Sequence, residues 1–415
     1  MAWIGCEWRV QALRWHRGPW DSHTPRFNNG LSDDNSSLFL CVCLTEIMTH
    51  PLKKIGFHAN GKPRGWLTSL VFDAQLAPRP LFNRWVCPPA GDIHPAFRAW
   101  RSLALQNPAP SSSNDWPLRR QRIVDQKSLG SASSLRIVCT RATAFVAHAL
   151  QTHAHAWGFA VHIDHEMPDA FPEDMYLVIC PQMFSHLPPR EKRIVFQMEQ
   201  SVHPRWFTPE YLNILYNSVA VFDYSAQNIQ FLTQQGLPAD MLFHVPLSPV
   251  PNYPGAGFSS DVTDSDSAHT CDVLFYGDLK NKRRQAFLKV LGEHFDVRAE
   301  RSLYGQDLWR AMAHAKVVVN IHYYENALLE STRICECLSL GARVISEAAT
   351  DQGQHADWED LVVFTPINDA QAMVQAVHQC LQQTPAAAPS LTERAFRLGP
   401  SLEAAFRTLN LLVHR

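Results

Sequence analysis

The chain has 415 residues, 46% of them hydrophobic and 18% charged, with a formal net charge of −2. It is too apolar for a disordered protein and long enough to bury two sizeable cores. Residues 1–134 carry 16 Lys and Arg against 9 Asp and Glu, a balance of +7, and the remainder carries 21 against 30, a balance of −9. Such asymmetry points to a front segment that faces something anionic.

At the start of the chain the longest apolar run, LFLCVCL at 38–44, is far shorter than the ~18–20 residues of a membrane span. No basic-then-apolar leader opens the sequence. A cytoplasmic location is therefore expected. Ten cysteines, with Cys41/Cys43 and Cys335/Cys337 as C-x-C pairs, lack the paired C-x-x-C spacing of a zinc site and read as buried free thiols.

Residues 1–106 form an N-terminal segment. Within it, 57–101 repeats every fifteen residues: FHANGKPRGWLTSLV, FDAQLAPRPLFNRWV, CPPAGDIHPAFRAWR. Pro63 aligns with Pro78, and Trp85 with Trp100. The unit is shorter than that of the usual solenoids. It reads either as a structural collar or as a basic, aromatic surface resting on anionic lipid at the inner face of the membrane.

A polar linker at 107–134 leads to the first regular domain, 135–258. Strands are predicted at 135–140, 159–163, 176–180, 193–199 and 220–225, with a helix through about Trp157. A second series, 259–390, has strands at 271–276, 317–321 and 344–346 and helices near 281–292, 307–315, 331–340 and 369–382. Residues 391–415 read as a C-terminal helix packing back on the first domain. Short apolar runs separated by helix-length segments imply parallel sheets of βαβ units. The expected fold is α/β, with two doubly wound, Rossmann-like domains and a cleft between them.

The stretch HYYENALLESTRICECLSLGARVISE, His322 to Glu347, concentrates charge at the mouth of the second sheet. Ile334, Cys337, Leu338 and Gly341 follow i, i+3, i+4, i+7 spacing and mark the packed face of a helix. Arg333 and Glu336 lie on its other side, and Glu325 and Glu330 lie in the loop before it. Ligands of open α/β sheets bind beyond the strands' carboxyl ends, beside helix N-termini. Carboxylates accept hydroxyl hydrogen bonds and helix-start amides hold phosphate, so the pattern suits a ligand that is part polyol and part phosphate.

Glu336-Cys-Leu-Ser-Leu-Gly341-Ala-Arg-Val-Ile-Ser-Glu347 resembles the E-A-x-A-x-G-x-P-V-I segment of family 4 (group 1) glycosyltransferases of the GT-B fold, in the branch with R-x-x-E before it, as Arg333 and Glu336 stand here. Leu274-Phe-Tyr-Gly277-Asp-Leu-Lys-Asn-Lys-Arg283-Arg284 resembles that domain's strand, glycine and basic element, and Val221 to Asn228 resembles the last strand of the other domain. The resemblance spans roughly 135–385. It implies that Glu336 binds the nucleotide ribose and that Arg283 or Arg284 takes the diphosphate, with Gly277, Lys282 and Glu325 beside the donor. Glu330, Arg333 and, from the facing domain, His203 are the candidate catalytic residues. The family's first glutamate falls on Leu328, so either Glu325 or Glu330 replaces it or the donor is gripped differently.

Other signals have plainer readings. Asp264-Ser-Asp266 matches a D-x-D metal motif but sits in a Ser/Asp/Thr-rich linker. His153/His155 and His162/His165 lack metal-ligand spacing, although His162 and His165 end a strand facing the cleft. Glu199 and His203 follow another strand and stand ready for acceptor hydroxyls. The expected activity is that of a hexosyltransferase-type glycosyltransferase, moving sugar from a nucleotide diphosphate donor to a cell-surface glycan or glycolipid acceptor. No metal, no other cofactor and no nucleic-acid partner are expected. The alternatives are a nucleotide-sugar epimerase of the same fold and a non-catalytic module that binds glycan or a partner protein.

Overall fold

The computed structural model describes residues 65–72, 134–203, 206–251, 253, 271–383, 391 and 396–412. The linker D-x-D and most of the fifteen-residue repeat lie outside them. A helix, α1 (Gly65–Val71), is described within the repeat, with Leu67 and Val71 buried.

The first domain is a six-stranded, all-parallel sheet. Its strands are β1 (Ser134–Val138), β2 (Ala160–Asp164), β3 (Met175–Ile179), β4 (Arg193–Gln197), β5 (Ala220–Asp223) and β6 (Leu242–His244), in the order 2-1-3-4-5-6. β3, β4 and β5 are buried at every residue, because helices cover both faces of a parallel sheet. Side-chain alternation divides the core: Leu177 and Ile179 join α2 (Ala144–Ala156) on one face, while Tyr176 and Val178 join α3 (Pro209–Tyr216) and α4 (Ala226–Gln234) on the other. α3 starts on Thr208, whose hydroxyl accepts the Tyr211 amide, with Pro209 in the first turn.

The second domain has five parallel strands, β7 (Cys271–Tyr276), β8 (Val297–Glu300), β9 (Ala315–Asn320), β10 (Val344–Glu347) and β11 (Val362–Thr365), in the order 11-10-9-7-8. Val273, Phe275, Val317, Val319 and Ile345 pack beneath α5 (Lys282–Gly292) and α8 (Ala370–Gln382). Leu274, Val318 and Val344 pack beneath α6 (Gly305–Ala313) and α7 (Ser331–Ser339). This second face belongs to the same buried cluster as the α2 face of the first domain, so one apolar layer runs between the two sheets. α9 (Leu398–Thr408) returns to the first domain, where Phe406 meets Trp157, Phe159 and Phe222 at centroid distances of 5.5, 5.6 and 6.2 Å.

Two doubly wound domains are thus present, as the GT-B resemblance implies. Three strands escape the sequence reading: β6, β8 and β11. Each ends its sheet, and each is only three or four residues long and partly exposed, too short a signal to stand out. The six described cysteines are buried, and none is in a disulfide. No helix among the described residues is long and apolar enough to cross a membrane.

Candidate functional site

In the second sheet β7 lies between β8 and β9, so the chain leaves β7 toward one edge and β9 continues toward the other. Their carboxyl ends form the switch point where open α/β sheets bind ligands. Gly277 and Asp278 follow β7, and the loop after β9 runs to Glu330 at the start of α7. A cleft of about 560 Å³ opens there. Its second-domain wall includes Tyr276, Gly277, Glu330, Ser331, Thr332, Arg333 and Glu336, and its first-domain wall includes Thr143, Met198, Gln200 and Tyr224.

Glu330 occupies the N-cap of α7 and organises the charges. Its carboxylate accepts Arg284 Nη2 at 2.9 and 3.1 Å, Arg333 Nη1 at 2.5 Å and the Tyr323 amide at 2.9 Å. Burial by itself raises an acid's pKa, but Arg333 and Arg284 outweigh it and hold Glu330 well below the usual carboxylate range. Glu330 is therefore an ionised anchor for two arginines. The guanidinium of Arg333 also donates to Asn320 Oδ1 and lies 5.2 Å from the Tyr276 ring centroid, within cation–π reach. Its Nε, also buried, has no hydrogen-bond partner among the described residues, and neither has Ser331 Oγ.

Gly277 is required where it stands. Its φ is +148°, and a Cβ there would sit 3.1 Å from Arg333 Nη2 and 3.3 Å from Arg284 Nη1. Glu336, one turn along α7 from Arg333, accepts the Tyr276 hydroxyl at 3.5 Å. Burial pushes it up to about 7 against the lowering effects of Tyr276, Arg333 and Tyr253.

The structure thus gathers Gly277, Glu330, Arg333 and Glu336 around one cleft and turns the other candidates elsewhere. Arg283 forms a bidentate pair with the fully buried Glu347 and donates to the His322 carbonyl and to Asn368. Arg284 touches the site only from behind, through Glu330 and the Ile321 carbonyl. Lys282 is exposed at the start of α5. Glu325 is exposed and accepts Asn368 Nδ2 at 2.6 Å. His203 is exposed and stacked on Tyr324, with ring centroids 4.5 Å apart. The side chain at the family's first-glutamate position, Leu328, is fully buried.

His165 is spent on the Cys139 carbonyl and thiol, at 3.3 and 3.5 Å. His162 is exposed on the edge strand β2. Among the described residues no group of three His, Cys, Asp or Glu is placed to hold a metal ion. Sequence reasoning passed over Gln200, Ser331, Thr332 and the 301–304 loop after β8, all of which line the cleft. Only the helix start gives Ser331 and Thr332 away; the other positions carry no local signal.

Residues 272–399, which hold β7 through the start of α9, match the family model described as glycosyl transferase-like. No curated protein matches the chain. Among solved structures, HepE from Anabaena in complex with UDP and glucose shares 11% identity over 67% of this chain and 97% of that one, with a TM-score of 0.41. Sucrose-phosphate synthase from Thermosynechococcus elongatus shares 12% over 67% and 96%, with a TM-score of 0.41. The UDP-GlcNAc 2-epimerase of Methanocaldococcus jannaschii, in complex with UDP-GlcNAc and UDP, shares 11% over 66% and 99%, with a TM-score of 0.39.

Proposed function

We propose that the chain is a glycosyltransferase whose donor is a nucleoside diphosphate sugar bound in the cleft at the start of α7. The observation that carries this reading is Arg333, whose side chain is 14% exposed and whose Nε is buried. One edge of its guanidinium is fixed by Glu330 and Asn320, and its Nε is left without a partner beside the first turn of a helix. A largely buried cation with an unfilled donor, next to helix-start amides, suits a dianionic diphosphate. The match of residues 272–399 to the glycosyl transferase-like model supports the same assignment.

In the proposed reaction the bond between the anomeric carbon and the diphosphate breaks, and negative charge grows on the leaving phosphate oxygens. Arg333 and the amide of Thr332 stabilise that charge without having to reorganise. Glu330 keeps Arg333 in place, and Gly277 leaves room for it. Glu336 accepts ribose hydroxyls. The first-domain wall, with Thr143 and Met198, receives the acceptor, a cell-surface glycan or glycolipid. No divalent ion is needed when arginine supplies the counter-charge, so turnover is expected to survive excess EDTA. The basic front segment brings the enzyme to anionic membrane where such acceptors lie.

A thermal-shift screen against UDP, GDP, ADP and their common sugar conjugates tests the reading. A nucleotide at 100 times its dissociation constant stabilises the native state by ~2.7 kcal/mol, a shift well above noise. No shift with any nucleotide would defeat the proposal, and release of free sugar without an acceptor would point to the epimerase.

A further inference from the structure

The loop before Glu330 is held from the opposite domain by the stacking of His203 on Tyr324 and, nearer Glu330, by a side-chain amide. Gln200, three residues past the end of β4, accepts the Leu328 amide on Oε1 at 3.0 Å and donates Nε2 to the Leu328 carbonyl at 3.1 Å. Partners of opposite kind fix the orientation of the side-chain amide, and together they imitate one rung of a β-ladder. Leu328 lies two residues before Glu330.

The first domain is built to present this residue. Fully buried Asn228 accepts the Ser201 amide and donates to the Glu199 carbonyl, pinning the chain on both sides of Gln200. Asn228 is itself held by Asp223, which also receives Gln197. Burial pushes Asp223 up to about 8, against the lowering by these amide donors. Such a buried polar network is costly unless every member is satisfied, and this one converges on the backbone around Gln200. On the receiving side, Asp351 accepts the Leu329 amide at 2.9 Å, so the loop is gripped from both domains.

We infer that Gln200 is a positioning residue: its paired bonds to Leu328 latch the two domains together and set Glu330, and through it Arg333, at the donor cleft. The inference rests on the proposed function only for what fills that cleft; the latch itself is a property of the protein without ligand. Opening the cleft requires both bonds to break together, and closing it restores the site in one step.

Three full-length variants test the latch. Gln200→Ala removes both bonds. Gln200→Glu keeps the acceptor for the Leu328 amide and sets a carboxylate oxygen against the carbonyl. Gln200→Asn keeps the chemistry and shortens the reach. Hydrogen exchange of the ligand-free protein reads the latch directly. Two net hydrogen bonds lost together raise amide exchange at Leu328 by about tenfold or more. We expect that rise in the Ala variant and a smaller one in the Glu variant, which keeps one of the two bonds, with the amides of β4 and β9 unchanged and a larger radius of gyration by X-ray scattering. Wild-type exchange at Leu328 in Gln200→Ala would overturn the latch.

Titration with UDP and GDP reads its consequence: the Ala and Glu variants should bind whichever nucleotide the wild type binds about tenfold more weakly, with Asn intermediate. Unchanged affinity despite faster exchange would overturn the positioning role. Failure of the wild type to bind any nucleotide would refute the donor site and leave the exchange result to decide the latch.

Discussion

Replacing Glu330 by alanine strands two largely buried cations. The side chains of Arg284 and Arg333 are 4% and 14% exposed, and among the described residues Glu330 is the only carboxylate in an ion pair with either. Breaking a buried pair by removing one partner costs ~3–5 kcal/mol. Because Arg284 keeps the Ile321 carbonyl and Arg333 keeps Asn320, the lower end of that range, about 3 kcal/mol, applies. For a domain above ~100 residues each kcal/mol moves Tm by roughly 3–4 °C, so the second domain should melt about 10 °C lower.

Scanning calorimetry of Glu330→Ala, with Glu325→Ala as control, measures this. Glu325 is exposed and its carboxylate meets Asn368, so its removal should move Tm by less than about 2 °C. The difference must also depend on pH. A carboxyl held below its ordinary pKa contributes in full above the unfolded value of ~4.3, and that contribution fades as pH falls through the folded value. Equal melting of the two variants at neutral pH, or a Glu330→Ala deficit that persists undiminished in acid, would show that Glu330 is not the anchor described.

Glu336 should act in the opposite sense. Raised to about 7 by burial, it favours the native state fully below ~4.3 and loses that contribution as pH rises through 7, so urea unfolding of Glu336→Gln should lack the decline the wild type shows across that window. Gly277→Ala forces a Cβ against Arg333 Nη2 at a φ of +148° and should cost ~1–3 kcal/mol; calorimetry would detect the loss, and nucleotide titration should show at least tenfold weaker binding. Removing residues 1–106 should abolish salt-sensitive co-sedimentation with anionic liposomes, each basic residue being worth ~1 kcal/mol near such a surface, while nucleotide binding persists. Equal sedimentation of the truncated protein would assign the front segment a structural role.

The helices of the second domain, α2 and the inner strands were legible because their periodicity is local, whereas α3 and α4 were not predicted. Ile334, Cys337 and Leu338 state which face of α7 is buried, and inner strands such as β3 and β4 centre on apolar runs. Three of the four edge strands were not legible: β6, β8 and β11 are short and partly exposed. Within the site, Arg333 and Glu336 were legible as polar residues on a helix whose other face is apolar. The partition among the basic residues was not. Arg283 and Arg284 are neighbours in sequence, yet one faces Glu347 at the end of β10 and the other Glu330 after β9. Which carboxylate claims which arginine depends on strand order, and strand order has no local signature. The same holds for Gln200, whose partner lies 128 residues away.

The aromatic core of the first domain is completed by Phe406, which is 1% exposed against Trp157, Phe159 and Phe222. During synthesis the sheet that carries Phe222 emerges long before α9, with the whole second domain made in between. At ~5–20 residues per second, the interval from the end of β6 to Phe406 is roughly 8–32 s. Through that time the pocket for Phe406 is an open apolar surface on a nascent chain. The second domain, local in sequence from β7 to α8, can finish first. The order of folding is then the reverse of the order of translation for the last step, and the nascent first domain is the species a chaperone would meet.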